Sequence, residues 1–233
     1  MERLGEDALL VRLGDALDAG TNARVHALAA TLGANRPAWV RDIVPAYATL
    51  AVFIDPLAMW GEEDPLATTE AWIDETCGSR SSGDGSPVDS RPGALAAGAA
   101  PANAPAREIP VRFGGGHGPD VAAVAEAAQL SEADVIARFC APVYQVAMLG
   151  YAPGFPYLLG LDPALAMPRL ATPRARVPAG SVAIGGAQAG IYPREGPGGW
   201  RLLGRTPLVL FDHEREPPAL LAPGSRVRFV PAR

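Results

Sequence analysis

GYAPGFPYLLG, residues 150–160, and the glycine-rich GSVAIGGAQAGIYPREGPGGWRLLG, residues 180–204, decide how this chain folds. Both are short apolar runs cut by Gly and Pro, without the spacing of an amphipathic helix. Similar runs surround them: residues 144–148, 158–159, 181–184, 190–192, 200–203, 208–211 and 226–230. Short strands at roughly ten-residue intervals, joined by Gly/Pro turns, predict a barrel or sandwich. Tyr151, Phe155 and Tyr157 bracket the Pro153-Gly154 turn and would fill one end of it.

Upstream of this β-rich part lies a strand at 109–113, a glycine turn at 114–120 (GGGHGPD) and two short helices, 120–128 and 131–139. Ser131, three residues before Asp134, marks the start of the second helix. The first 76 residues read differently. A strand at 8–13, a helix at 20–33, strands at 39–44 and 49–54 and a second helix from 64 give the order β-α-β-β-α. That order predicts a ferredoxin-like α+β sandwich. Thr21 or Asn22 would cap the first helix and Gly33 would stop it. Between the two parts, residues 77–106 are almost all small residues, Gly and Pro. Such a stretch buries too little apolar surface to offset its ordering entropy, and it reads as a flexible linker. Three regions follow: 1–76, the linker 77–106, and 107–233.

Composition narrows the function. Glycine and proline fill 50 of 233 positions, which disfavours a helical bundle, and all 20 basic residues are arginine. Without lysine there is no Walker A loop and no Schiff-base lysine. A net charge of -5 supplies no basic stripe for nucleic acid. Cys77 and Cys140 form neither a disulfide framework nor a zinc motif. No signal peptide and no membrane span is visible, so a soluble, cytoplasmic protein is expected.

The candidate chemistry gathers in residues 150–205. Pro168, Pro173 and Pro178 hold an extended course with Arg169, Arg174 and Arg176 between them. Three guanidinium groups on one stiff segment would converge on a carboxylate or phosphate. Gly154 and the Gly198-Gly199 pair would shape the pocket, lined by Phe155, Tyr157, Gln188, Tyr192 and Trp200. Asp120 and Tyr192 are the candidates for polar roles in catalysis. The three histidines, His26, His117 and His213, are scattered, so no metal site is expected.

Residues 150–212 resemble the KipI family, which comprises the B-type subunits of 5-oxoprolinase and is called allophanate hydrolase subunit 1 in older naming. The resemblance rests on the PGFPYL turn, the PRxxxPRxxxPAGS cadence, GxYP, PGGW and GRTP. LGEDALLVRLGD and DIVPAYATLAVFIDP are similar to the family's first domain. The resemblance implies an N-terminal ferredoxin-like domain followed by a C-terminal cyclophilin-like β-barrel. It implies ATP-dependent opening of the 5-oxoproline lactam to glutamate, with a KipA-type subunit and a LamB/YcsF-type subunit as partners. ATP would then be bound mainly by or with those partners. The family also implies two alternatives: a module that inhibits a sensor histidine kinase, and a carboxyltransferase-like subunit acting on urea-derived substrates. The chain departs from the family pattern at Gly116, where an acidic residue is expected, and at Phe139, where a histidine is expected. Ala189 stands where Thr is common.

Overall fold

The structure is a computed structural model and describes residues 1–78 and 105–232. Most of the expected linker, residues 79–104, therefore lies outside the described residues. The chain divides into two compact units, Met1–Ala99 and Ala100–Arg233.

The first unit contains β1 (Glu2–Arg3), β2 (Ala8–Arg12), α1 (Ala19–Ala34), β3 (Val40–Pro45), β4 (Thr49–Ile54) and α2 (Pro65–Gly78). The sheet order is β1-β2-β4-β3, with every neighbouring pair antiparallel. Alternation along β4 turns Leu50, Val52 and Ile54 to the buried face. Val25, Ala29 and Leu32 of α1 and Leu66 and Ile73 of α2 complete that core. The helix caps differ from the expected ones. Asp18, not Thr21 or Asn22, caps α1, its carboxylate accepting the Thr21 N–H at 2.8 Å. Asn22 is instead buried and donates its amide to the carbonyls of Ala46 and Tyr47 at 3.1 and 3.2 Å. It thereby ties α1 to the β3–β4 turn. Gly33 stays inside the helix, and Asn35 is the C-cap.

The second unit is a closed barrel. Its strands are β5 (Arg107–Phe113), β6 (Tyr144–Leu149), β7 (Pro156–Leu159), β9 (Ser181–Gly185), β10 (Gln188–Ile191), β12 (Arg201–Arg205) and β13 (Arg226–Pro231). They close in the order β10-β7-β6-β13-β5-β12-β9, with β10 paired back to β9. Only β13 and β5 run parallel. Ile109, Val146, Leu158, Val182, Ile184, Ile191, Leu203 and Phe229 fill the interior, joined by Val124 of α3 (Val121–Ala128) and by Val135 and Phe139 of α4 (Glu132–Cys140). Ser131 caps α4 as expected, accepting the Asp134 N–H at 3.1 Å.

Two strands of this unit lie outside the barrel. β8 (Arg174–Val177) and β11 (Gly196–Gly198) form a separate antiparallel ribbon. The Pro and Gly content of both segments masked them in sequence, yet their extended course suits a two-stranded edge. Residues 208–211 are not a strand: Phe211 makes an isolated bridge with Ala219, while Leu210 is buried in the core.

The wall formed by β7, β10, β9 and β12 is buried on both faces, and all five β9 residues are buried. Val182 and Ile184 point into the barrel, while Ala183 belongs to a second cluster with Phe155, Tyr192, Trp200 and Leu202. That second face carries the candidate site.

Candidate functional site

Register sets the floor of the site. Tyr157 faces Gly190, Gly190 faces Ala183, and Ala183 faces Leu202 across four successive strands. The two small residues in the middle of that row leave a trough. Phe155 lies over Gly190, where an added Cβ would sit 2.9 Å from its ring, and Trp200 lies over Gly185 at 2.7 Å. The Tyr192 hydroxyl occupies the space a Cβ on Gly198 would need. Three glycines are therefore what let three aromatic side chains pack flat against backbone.

The rings meet edge to face: Phe155–Tyr192 at 5.3 Å, Phe155–Trp200 at 5.7 Å and Tyr157–Trp200 at 5.8 Å between centroids. They surround a cavity of about 250 Å³ lined by Tyr151, Phe155, Tyr157, Arg169, Pro173, Tyr192, Pro197, Gly198, Gly199 and Trp200. Arg169 is the cation in this lining, its guanidinium 5.5 Å from the centre of the Trp200 ring. The Leu170 N–H donates to the Gly199 carbonyl at 2.7 Å and pins the arginine-bearing segment to the ribbon. No carboxylate among the described residues pairs with Arg169 within 4.0 Å.

Burial raises the Tyr192 pKa above its ordinary value, outweighing a backbone hydrogen bond from Trp200 that lowers it. Burial likewise raises Tyr157. Both phenols therefore stay protonated at neutral pH and act as hydrogen-bond donors rather than phenolates.

Seven of the residues singled out in sequence line this cavity: Phe155, Tyr157, Arg169, Tyr192, Gly198, Gly199 and Trp200. The other five lie elsewhere, and the three arginines do not converge. Arg174 pairs with Asp120 at 2.7 Å, and Arg176 pairs with Glu195 at 2.7 Å on the exposed side of the ribbon. Gly154, at φ +77°, packs against Phe211, and Gln188 opens β10 outside the cavity lining. Asp120 is buried and committed. One carboxylate oxygen takes the Arg174 guanidinium, and the other accepts the Leu202 N–H at 2.7 Å. Asp120 thus clamps the start of α3 to β12 and to the ribbon. Asp120→Ala would leave the Leu202 N–H and a largely buried guanidinium unpaired, a cost of about 3 kcal/mol. The expected readout is a lower midpoint in urea at unchanged slope; an unaltered midpoint would remove the clamp role.

Tyr151 also lines the cavity, although it is not among the site residues expected from sequence. It adopts the left-handed conformation at φ +64°, unusual for a bulky side chain, and its hydroxyl donates to the Pro197 carbonyl. That bond ties the β6–β7 turn to β11 at the cavity edge. The aromatic spacing around Pro153-Gly154 is the signal that points to it.

A family model described as "Carboxyltransferase domain, subdomain C and D" matches residues 1–221. The chain belongs to this family. A curated relative, the 5-oxoprolinase B-subunit of Bacillus subtilis (strain 168), is 37% identical over 235 residues, covering 99% of this chain and 91% of that one. The 5-oxoprolinase B-subunit of Escherichia coli O157:H7 is 54% identical over 126 residues, covering 54% of this chain and 58% of that one. Among solved structures, that of TTHA0988 is similar at a TM-score of 0.76 and 35% identity, over 97% of this chain and 40% of that one. This carboxyltransferase C/D chain therefore spans about two fifths of that longer protein.

The two departures from the family pattern fall away from the aromatic cavity. Phe139 is fully buried in the barrel core, 4.7 Å from Phe229 and 5.5 Å from Tyr144, where it serves packing. Gly116 is exposed in the turn before α3, and a side chain there would meet nothing within 4 Å. No helix among the described residues is long and apolar enough to cross a membrane.

Both cysteines are free, and this family member should show them as chemically distinct. Burial pushes the Cys140 thiol up to about 11, so at pH 8 it is protonated and unreactive. Cys77 is exposed. A disulfide-exchange titration at pH 8 is expected to find one fast thiol in the native protein and a second that reacts much more slowly until the protein unfolds. Two equally fast thiols would contradict the half-buried setting and raised pKa of Cys140.

Proposed function

We propose that the chain is the B-type subunit of 5-oxoprolinase and that its aromatic cavity takes the 5-oxoproline ring. The observation that carries this reading is a small aromatic box holding one guanidinium that has no carboxylate partner among the described residues. 5-Oxoproline has matching parts: a carboxylate for Arg169, a flat apolar ring edge for Phe155 and Trp200, and an amide for the Tyr157 and Tyr192 hydroxyls. The similarity to the Bacillus subtilis B-type subunit over nearly the whole of both chains supports the same assignment.

A five-membered lactam is a stable amide, and ATP supplies the chemistry that makes its carbon open to water. The residues of this chain bind and orient: Arg169 fixes the carboxylate, the ring walls exclude water, and the two phenols donate toward the lactam oxygen. Nucleotide and the remaining catalytic groups come with the KipA-type and LamB/YcsF-type partners, in the cytoplasm. The two free thiols accord with a reducing compartment.

The finer fold reading belongs to the same proposal: a ferredoxin-like first domain over 1–76, a linker over 77–106 and a cyclophilin-like barrel over 107–233. The β2-β4-β3 core with its two helices supports the first, β1 occupying the edge beside β2.

Reconstitution tests the function. With both partner-type subunits present, 5-oxoproline and ATP are expected to give glutamate, and omission of this chain should abolish it. If all three chains fold and assemble yet release no ATP-dependent glutamate, the assignment is wrong.

A further inference from the structure

Leu57 and Trp60 are the most exposed large apolar side chains among the described residues, at 77% and 88%. They stand three positions apart on the turn that joins β4 to α2, and Met59 between them is buried in the core of the first unit. Sinking Met59 into the core turns its neighbours outward. Hydrogen bonds within the turn hold that arrangement. The Asp55 carboxylate accepts the Leu57 N–H at 3.0 Å, and the Leu57 carbonyl accepts the Trp60 N–H at 3.3 Å. The Met59 carbonyl accepts the Glu62 N–H at 3.0 Å, and the Glu62 carboxylate accepts the Thr68 hydroxyl of α2 at 3.1 Å. Trp39 and Trp72 of the same unit, by contrast, meet edge to face at 5.5 Å and pack against that core.

The charge around this pair has one sign. Residues 55–78 hold seven of the chain's 25 acidic residues and none of its 20 arginines. Elsewhere 18 acidic residues face 20 arginines, so the rest of the chain carries a net charge of +2. The whole net negative charge of the protein therefore belongs to this turn and the helix after it. Arg3 pairs with Asp64 at 2.8 Å and approaches Glu70 at 3.8 Å. Asp55, Glu62 and Glu63 beside the apolar pair are exposed, and so are Asp74 and Glu75 further along α2. Among the described residues, none of these five has an arginine within 4.0 Å.

A rigid, projecting indole beside a second apolar side chain is the form that interface hot spots take, because little freedom remains to be lost on binding. The flanking charge selects the partner. Anionic membranes and nucleic acids share its sign, as does the same face of a second copy. We infer that Leu57 and Trp60 dock into an apolar pocket on a partner protein, rimmed by lysine or arginine side chains. The carboxylates speed the encounter, and the buried indole slows release. The inference rests on the reading of this chain as one subunit of a complex, and it assigns the surface by which the first unit joins.

The test is sedimentation and surface-binding measurement of the full chain against the KipA-type and LamB/YcsF-type subunits. Trp60→Ala is expected to weaken assembly about thirtyfold or more, and Leu57→Ala about fivefold. Leu17→Ala, on an exposed side chain outside the segment, should change nothing. Glu63→Lys should slow association about tenfold with dissociation unmoved, and added salt should slow the parent in the same way. Because Leu57 and Trp60 are exposed, their variants should keep the parent's melting temperature. Undiminished assembly by Trp60→Ala overturns the docking pair while leaving the B-type reading intact. Association indifferent to salt and to Glu63→Lys overturns the cationic rim, and self-association lost in Trp60→Ala replaces the partner with a second copy. Glutamate release at saturating partner concentrations reads the B-type assignment separately and should survive Trp60→Ala, so either can fail alone.

Discussion

Arg169→Gln is expected to weaken 5-oxoproline binding about a hundredfold while leaving the fold intact. The guanidinium is the cavity's cation, stacked 5.5 Å from the Trp200 ring and without a carboxylate partner among the described residues. Hydrogen bonds to charged groups contribute about 1.5–3 kcal/mol, and the upper end of that range is about a hundredfold in affinity. Arg169→Lys separates charge from shape: it keeps the cation but loses the planar fork and the stacking, so it should restore only part of the loss. Intrinsic fluorescence of Trp200, read against a Trp200→Phe control, gives the titration. If Arg169→Gln binds like the parent chain, the carboxylate does not sit at this arginine.

The largest stability loss is expected at Gly118. A Cβ added there would overlap the Leu203 carbonyl, whose oxygen also accepts the Gly114 N–H at 3.1 Å. The obstacle is backbone rather than a movable side-chain tip, so the turn must part from β12. Gly118→Ala should therefore cost about 3 kcal/mol or more, at the upper end of overpacking effects. Gly204 sits against the same turn's strand, where a Cβ would lie 2.7 Å from the Arg112 carbonyl, and its alanine variant should lose stability in the same direction. Urea unfolding followed by far-UV circular dichroism measures both. In contrast, Gly116→Ala meets open space and should change little. Equal midpoints for Gly118→Ala and Gly116→Ala would contradict the closeness of the turn to β12.

Much of the barrel was legible because its strands are short apolar runs bounded by Gly and Pro. The expected runs at 144–148, 158–159, 181–184, 190–192, 200–203 and 226–230 fall on barrel strands or overlap them. The ribbon was not legible, since a Pro-Arg-Ala-Arg-Val segment looks like loop until something pairs with it. β1 is two residues long, too short for any periodicity to show. The candidate site divides along a similar line. The aromatic residues and their glycines could be read because each large ring needs a small neighbour, and that contrast is visible in the chain. The arginines could not be sorted by spacing. Arg174 is occupied by Asp120, 54 positions away, and Arg176 by Glu195, 19 positions away, and only the folded ladder brings those carboxylates near. The left-handed turn at Tyr151 is closed locally by the Ala152 N–H on the Gly150 carbonyl at 2.7 Å, but the partner its hydroxyl reaches, Pro197, is 46 positions away and could not be read from the chain.

The floor of the aromatic cavity is already pared to glycine and alanine at positions 190 and 183. Gly190 has nothing left to lose and Ala183 only a methyl, so almost any single change beneath the rings adds bulk and pushes the overlying side chains, Phe155 above all, outward into the cavity. A wider range of ligands is open only through the rim, by trimming Tyr157 or Trp200. Those rings also close the outer face of a wall whose inner face is barrel core. Broadening the site and loosening the barrel are therefore the same evolutionary step, which confines the ligands this family member can acquire while it stays folded.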